Sequence, residues 1–202
     1  RFREWKLIPQ RGIIEDFFGK KIADNTQSFQ LHMIPEDVPN LETLFFRLSK
    51  VIDFNNKEKR RIIKRLKKRK RWEPIIISDN LSWSEFSRLN LFLHEMQGVK
   101  PVVALARKYT SDGSSSHIIG YVSETSVKDL ESSDLLREIN VPGLKTGKSG
   151  LEKSFNELMI GTPGIQRFEV NAFGKRIKEL ELVKGTSGQN FRTTIDQEVQ
   201  KF

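Results

Sequence analysis

The sequence GKSGLEKSFNELMIGTPGIQRFEVNAFGKRIKELEL, residues 147–182, predicts a helix, a tight turn and a pair of strands. The helix begins with a capping box, because Ser149 can accept from the first turn and Glu152, three residues later, can reach back to it. The apolar residues that follow recur at helical spacing and form one stripe: Leu151, Phe155, Leu158 and Met159. We therefore predict one capped amphipathic helix at the start of this stretch.

The second half of the stretch predicts a β-hairpin. Gly161 is suited to end the helix, and Pro163 prevents its continuation. Apolar pairs then alternate with charged residues on either side of a turn at 171–174: Phe168 with Val170, and Leu180 with Leu182. The stretch contains no evident nucleophile, general base or metal-ligand cluster, so it indicates a structural role.

Length and composition limit what the whole chain can be. Its 202 residues are enough for one large domain or two small ones. The absence of cysteine excludes disulfides and zinc–thiolate sites. The sequence has no run of about 18 apolar residues of the kind that spans a membrane. Because it begins at Arg1 and not at Met, we expect it to be a piece of a longer protein.

The positive charge of the chain is concentrated in one segment. The net charge is +9, and residues 57–71 (KEKRRIIKRLKKRKR) contain eleven Lys and Arg and one Glu. That segment alone carries +10, which leaves −1 for all other residues. The chain is therefore not basic in general.

Outside the opening stretch, strand and helix signals alternate. Strands are predicted at 11–16, 28–34, 75–77, 99–109 and 191–195, and helices at 41–52, 82–96 and 126–136. Asn55 with Glu58 can cap a basic helix at 57–71, in which Ile62, Ile63 and Leu66 are the apolar anchors. The predicted class is α+β, with hairpins near both chain ends and helices between them.

We expect one domain over residues 1–202. A possible subdivision joins 1–35 with 164–202 as a β-rich base and leaves 36–163 as a helix-rich head.

Four short motifs follow one another along the chain. The first, R-G-x-I-x-D-R-x-G, is matched by Arg11, Gly12, Asp16 and Gly19, with Phe17 in place of the second Arg. The second, R-x-Y-P-x-G followed by H-x-x-G, is matched by these residues: Arg107, Tyr109, His117 and Gly120. Thr110 and Asp112 replace the Pro and the first Gly of the second motif; its loop is therefore expected to have a different shape.

The other two motifs lie in the opening stretch. The third, G-K-x-G-I-E, is matched by Gly147, Gly150 and Glu152. The fourth, V-N-x-x-G-R, is matched in all but its last residue, where Lys replaces Arg: Val170, Asn171, Gly174 and Lys175. An R-(F/W)-E-P stretch is also matched at residues 71–74. Together these motifs resemble the N-terminal, non-catalytic half of class B penicillin-binding proteins, called the dimerisation or pedestal domain, and most closely that of the elongation type.

This resemblance implies a periplasmic module of a bitopic inner-membrane protein, a peptidoglycan D,D-transpeptidase that binds penicillin. A transmembrane helix would precede residue 1, and the transpeptidase domain would follow residue 202. The implied partners are the chain's own transpeptidase domain, a SEDS-type glycosyltransferase and a periplasmic rod-shape scaffold protein. Whether the chain forms a homodimer stays open.

Two tripeptides resemble catalytic motifs of penicillin-recognising enzymes. Ser78-Asp79-Asn80 is similar to S-D-N, and Lys145-Thr146-Gly147 is similar to K-T-G. Such enzymes need an S-x-x-K serine as nucleophile, and no serine of this chain has Lys three residues after it. We therefore predict no catalytic residue, interpret 78–80 as a turn between a strand and a helix, and place 145–147 in a loop.

No cofactor or metal site is expected either. His32, His94 and His117 are far apart in sequence, and none has a carboxylate at metal-ligand spacing on a helix. The Ser-rich loops around Gly113 and Gly188 do not have the sequence of a P-loop.

Three interpretations of the basic segment 57–71 remain. It can be a solvated helix face, a surface that attracts anionic membrane lipids or envelope polymers, or a nucleic-acid-binding element. Nucleic acid is the least favoured, because Trp72 is the only aromatic residue nearby and single-strand binders stack bases on several. A binding module built on this segment is thus the alternative to a pedestal that positions an enzyme.

Overall fold

The computed structural model describes residues 2–67, 69–110, 113, 115–172 and 176–201, with side-chain detail to residue 200. Its strands are β1 (Phe2–Leu7), β2 (Ile14–Glu15), β3 (Lys21–Met33), β4 (Ile75–Leu81), β5 (Val99–Tyr109), β6 (Val122–Glu124), β7 (Lys145–Gly147), β8 (Gly164–Val170), β9 (Arg176–Val183) and β10 (Phe191–Arg192). Its α-helices are α1 (Leu41–Val51), α2 (Asn56–Leu66), α3 (Trp83–Phe92), α4 (Ser116–Ile119), α5 (Val127–Ser132), α6 (Asp134–Ile139), α7 (Gly150–Ser154) and α8 (Asn156–Ile160). The predicted α+β class is confirmed. Across these described ranges, no helix is long and apolar enough to cross a bilayer.

The chain divides into two compact units. Unit 1 comprises Arg1–Thr26 and Arg107–Phe202, and unit 2 comprises Gln27–Ala106. These boundaries differ from the suggested subdivision at 1–35 with 164–202 and 36–163. The reason is that helices α4, α7 and α8 pack within unit 1, where they share an apolar core with β2 and the start of β3.

One sheet of unit 1 has the order β1-β8-β9. The predicted hairpin of β8 and β9 is confirmed, although residues 173–175 of its turn lie outside the described residues. Strand β1 runs antiparallel to β8, from Phe2 opposite Glu169 to Leu7 opposite Gly164. Phe168 is buried against Trp5, with ring centroids 5.0 Å apart. Sequence patterns did not predict β1, because its partner strand is about 160 residues away along the chain.

A second group of strands in unit 1 is shorter than predicted. Strand β2 covers only Ile14–Glu15 of the predicted 11–16, and β10 covers only two residues of the predicted 191–195. The backbone of Gly12 bonds to Met159 instead of extending the strand. Conversely, β3 begins at Lys21, seven residues before its predicted start. Ile14, Ile22, Ile119 and Met159 form the core behind these strands.

The prediction of one capped helix after Ser149 was wrong. The helix is interrupted at Phe155, which has φ −106° and ψ 20°, and so α7 and α8 are separate. The capping box is also absent, because the Ser149 side chain makes no capping bond and Glu152 is fully buried. Likewise, the helix predicted to start at Ser126 is two short helices, α5 and α6, which meet at Ser133.

Both catalytic look-alike tripeptides lie in strands. Ser78-Asp79-Asn80 belongs to β4, which pairs with β3, and is not the predicted turn. Lys145-Thr146-Gly147 is β7, which pairs with β6 in a two-stranded sheet, and is not the predicted loop. In each case pairing with a partner strand determines the conformation, and the local sequence does not report that partner.

Unit 2 packs helices α1, α2 and α3 around strands β3 and β4. Its core contains residues of the predicted helices 41–52 and 82–96 and of the predicted strand 75–77, including Leu44, Leu48, Ile77 and Leu89. The strand predicted at 99–109 is confirmed as β5.

The basic helix is real but shorter than predicted. Asn55 and Glu58 form the predicted capping box. Helix α2 ends at Leu66, and residues 69–71 of the segment are not helical. Ile62 is fully buried as predicted, whereas Ile63 is 45% exposed and is not an anchor.

Ser82 and Ser149 form a matched pair for testing helix capping. Ser82 accepts from the Glu85 amide and completes a capping box, whereas Ser149 makes no side-chain capping bond. We expect Ser82→Ala to lower the free energy of unfolding by about 1 kcal/mol. Ser149→Ala should change it by less than about 0.5 kcal/mol. Urea denaturation measures both changes, and equal losses would contradict this assignment.

His32 is expected to make unit 2 sensitive to acid. Burial, with a smaller contribution from Lys100, lowers the pKa of His32 from 6.5 to about 4. In the unfolded chain His32 therefore becomes protonated near pH 6.5, whereas in the folded chain it becomes protonated only near pH 4. The contribution of His32 to the free energy of unfolding is fully present above pH 6.5 and is lost as the pH falls from 6.5 to about 4.

The measurement is the free energy of unfolding at pH 7 and pH 5 for the wild type and His32→Gln. The variant should lose less stability on acidification, and His94→Gln, which changes an exposed histidine, should behave as the wild type does. Identical pH slopes for the wild type and His32→Gln would exclude a role for His32.

Candidate functional site

Glu152 is the centre of a buried ion cluster in unit 1. Its side chain is 0% exposed, and that of Arg11 is only 9% exposed. Nε and Nη2 of Arg11 both lie 2.7 Å from Oε2 of Glu152, and Nη2 also donates to the Glu152 carbonyl oxygen at 2.9 Å. Both nitrogens thus contact the same carboxylate oxygen, in a charge-assisted contact that is stronger than a neutral hydrogen bond.

Strand β5 supplies a second arginine to the same carboxylate. The Arg107 side chain is 3% exposed, and its Nε donates to Oε1 of Glu152 at 2.8 Å. Tyr109, two residues later on the same strand, donates its hydroxyl to Oε1 at 3.3 Å. Each carboxylate oxygen of Glu152 is thus paired with a different arginine, one from the N-terminal segment and one from β5.

Two asparagines that the sequence did not point to complete the cluster. Asn156 accepts from Nη1 of Arg11 at 3.0 Å and from the Gly147 amide at 2.9 Å. Asn25 donates to the Arg11 carbonyl oxygen and accepts from Nη1 of Arg107 at 3.2 Å. Neither asparagine belongs to a recognised motif, so no local signal marked it.

Burial and pairing set the protonation of the cluster. Burial lowers the pKa of Arg11 below its ordinary value, and Glu152 opposes this effect. Arginine nevertheless stays charged, because its ordinary pKa is so high. Burial, and next the negative charge of Glu152, raise the pKa of Tyr109 to about 12. The phenol therefore remains a hydrogen-bond donor at neutral pH.

Three motif glycines allow backbones to approach closely beside this cluster. Gly120 has φ +76°, and a Cβ there would lie 2.0 Å from the Ser149 carbonyl oxygen. A Cβ at Gly150, which has φ +56°, would lie 2.3 Å from the Ile118 carbonyl oxygen. The end of α4 and the start of α7 are thus in direct backbone contact. A Cβ at Gly147 would similarly lie 1.9 Å from the carbonyl oxygen of Glu152.

Asp16 and Gly19 form a separate turn between β2 and β3. The Asp16 carboxylate is buried and accepts from the amides of Phe18 at 2.9 Å and Lys20 at 2.7 Å. Gly19 has φ +82°, a conformation that favours glycine. The motif residues Asp16 and Gly19 thus act in a local turn.

The remaining motif residues are not part of the cluster. His117 lies in α4 with its side chain exposed. Val170 is buried at the end of β8, and Asn171 follows it. Gly174 and Asp112 lie outside the described residues.

The cluster joins chain segments and offers no reactive group to a substrate. Its carboxylate is saturated by two arginines, and it contains no serine, cysteine or histidine. In the part of the chain that the structure describes, no group of three His, Cys, Asp or Glu residues could hold a metal ion.

A protein-family comparison matches residues 6–193 to the penicillin-binding protein dimerisation domain. Peptidoglycan D,D-transpeptidase MrdA of Haemophilus influenzae is 29% identical over 206 residues, covering all of this chain and 31% of that protein. MrdA of Escherichia coli K12 is 29% identical over 199 residues, covering 97% of this chain and 31% of that protein. The chain thus spans about a third of the length of these relatives.

A solved structure has the same fold. Penicillin-binding protein PBP2 from Helicobacter pylori, determined in a complex with MreC, superposes on the whole of this chain with a TM-score of 0.73. This chain covers 37% of that one, and the two are 24% identical. The family match covers the residues of the buried cluster, and the chain therefore belongs to the penicillin-binding protein dimerisation domain family.

Proposed function

We propose that this chain is the non-catalytic module of a peptidoglycan D,D-transpeptidase and that it holds the enzyme's active site at a set position above the inner membrane. The relatives that it matches are transpeptidases, and the chain corresponds to about a third of them. A positioning role needs no nucleophile, and no S-x-x-K serine occurs in the sequence.

The buried cluster is the observation that carries this proposal. Glu152 on α7 binds Arg11, which precedes β2, and Arg107, which lies on β5. Side chains from three distant chain segments are therefore held together in a dry, ionic contact. A module that positions another domain must be rigid, because an active site acts only on substrates within a fixed reach. Such a cluster supplies rigidity and contributes no chemistry of its own.

The partners of this chain are proposed from a solved complex of a related fold. The Helicobacter pylori PBP2 was solved with MreC. We propose that this chain likewise contacts a periplasmic rod-shape scaffold protein, together with a SEDS-type glycosyltransferase of the elongation machinery. The chain would then act on the periplasmic side of the inner membrane as part of a membrane-anchored protein.

A fluorescent penicillin tests whether acylation takes place outside this chain. The chain alone should not be acylated, whereas the full-length protein should be. In cells that depend on the full-length protein, deletion of residues 1–202 should leave acylation intact and abolish rod-shaped growth. Acylation of the chain alone, or normal elongation with the deletion variant, would overturn the proposal.

A pull-down tests the scaffold contact. The immobilised chain should retain the purified periplasmic scaffold protein from the same organism, and the same chain denatured in urea before the pull-down should not. Failure of the folded chain to retain it would reject the partner proposal and leave the positioning role to be judged by the deletion.

A further inference from the structure

Helix α2 presents a one-sided cationic face to solvent. At about 100° per residue, its exposed side chains fall on one arc of roughly 160°. Besides Asn56, the arc contains five cations and one isoleucine: Lys57, Arg60, Arg61, Ile63, Lys64 and Lys67, the last directly after the helix. The opposite side carries the fully buried Ile62 and the half-buried Leu66. Packing of the helix on unit 2 therefore determines which cations face outward.

Three other cations of the segment, which lie outside this face, contact neighbouring residues. Nη1 of Arg65 donates to the Ile76 carbonyl oxygen at 2.7 Å, which ties α2 to β4. Arg69 pairs with Glu73 at 3.8 Å. Lys70 lies over the ring of Trp72, 5.4 Å from its centroid.

The face also has an apolar element. Ile63 lies at one edge of the cationic arc and is 45% exposed. Arg60 and Lys67 are three residues before and four residues after it, so they are its neighbours on the helix surface. An exposed isoleucine adds little to the binding of a polyanion in solution. At a bilayer interface, in contrast, its side chain is buried among the headgroups and acyl chains.

We propose that this face, residues 57, 60, 61, 63, 64 and 67, docks on the anionic lipid headgroups of a bilayer. The cations attract the phosphate groups, and Ile63 enters the boundary between headgroups and acyl chains. The rest of the chain carries −1, so attraction to the surface acts through this segment and orients the unit that carries it. The inference concerns a surface that the positioning role does not require, and it is tested separately.

Co-sedimentation with lipid vesicles provides the test. The chain should bind vesicles of phosphatidylglycerol and phosphatidylcholine, and should not bind vesicles of phosphatidylcholine alone. Binding should weaken steeply as salt rises to about 0.5 M, because exposed charges are screened. Changing Arg60, Lys64 and Lys67 to glutamine should lower the affinity for these vesicles about a hundredfold, because each cation contributes a factor of about five.

The matched control removes the same charge elsewhere. Lys128, Lys178 and Lys184 are exposed in unit 1, and changing all three to glutamine should lower vesicle affinity far less. Ile63→Ser should weaken vesicle binding several-fold and leave retention on heparin unchanged. Circular dichroism should confirm that every variant is folded, since the altered side chains are exposed.

Three results would overturn the proposal. The first is equal loss of vesicle binding in the two triple-glutamine variants, which would indicate a net-charge effect. The second is no binding to phosphatidylglycerol vesicles at low salt. The third is binding of duplex DNA, but not vesicles, with the same dependence on Arg60, Lys64 and Lys67, which would make the face a nucleic-acid surface.

Discussion

Glu152→Gln is expected to destabilise unit 1 by about 3–5 kcal/mol. The substitution preserves the shape of the side chain but leaves the buried guanidinium groups of Arg11 and Arg107 without a counter-charge. An uncompensated buried charge is far more costly than a lost surface pair, because water cannot solvate it. For a chain of this length the melting temperature should fall by on the order of 10 °C. Thermal unfolding followed by circular dichroism measures the change.

Glu181→Gln is the control for the loss of a carboxylate. Glu181 lies on β9 with its side chain exposed, and its substitution should change the free energy of unfolding by less than about 0.5 kcal/mol. The double variant Arg11→Gln with Glu152→Gln should be less damaging than the sum of the two single changes, because the two residues share one interaction. Additive losses, or a Glu152→Gln loss below about 1 kcal/mol, would show that the cluster does not hold unit 1 together.

Gly120→Ala is the second substitution with a large expected effect. Gly120 has φ 76° and ψ −156°, a region of backbone space that is essentially restricted to glycine. In addition, its new Cβ would lie 2.0 Å from the backbone oxygen of Ser149, which cannot move without shifting α7. Backbone strain and overpacking together should cost about 2–5 kcal/mol. Urea denaturation of the purified chain measures the loss.

Gly113→Ala separates these two causes. Gly113 also has a positive φ, of +91°, but a Cβ there would meet no atom of the described residues within 4 Å. Its substitution should therefore show the backbone term alone, about 1–2 kcal/mol. If Gly113→Ala and Gly120→Ala were equally destabilising, the close contact between α4 and α7 would not matter to stability.

Sequence patterns predicted elements whose signal is local. The capping box at Asn55 was correct, because it joins residues three positions apart. The amphipathic stripe of α1 was correct for the same reason. The β8–β9 hairpin was predicted from alternation on both sides of a short turn. In these cases the residues that determine the structure are neighbours in sequence.

The errors concern residues whose partners are distant. Ser149 and Glu152 have the spacing of a capping box, but Arg11 and Arg107 bind the carboxylate from 141 and 45 residues away. Burial of two ion pairs outweighs a helix cap of about 1 kcal/mol. The tripeptide at 145–147 became a strand because β6 pairs with it. The cluster members Asn25 and Asn156 had no local signal at all.

The sequence by itself determined the α+β class, the family resemblance, the absence of a penicillin-reactive serine motif and the location of the charge in residues 57–71. Only the tertiary structure decided that four motif residues, Arg11, Arg107, Tyr109 and Glu152, meet in one buried cluster. It also decided which cations of α2 face solvent. The physical reason is that capping, periodicity and charge act between neighbours along the chain. Burial and ion pairing depend instead on which distant segments the fold brings together.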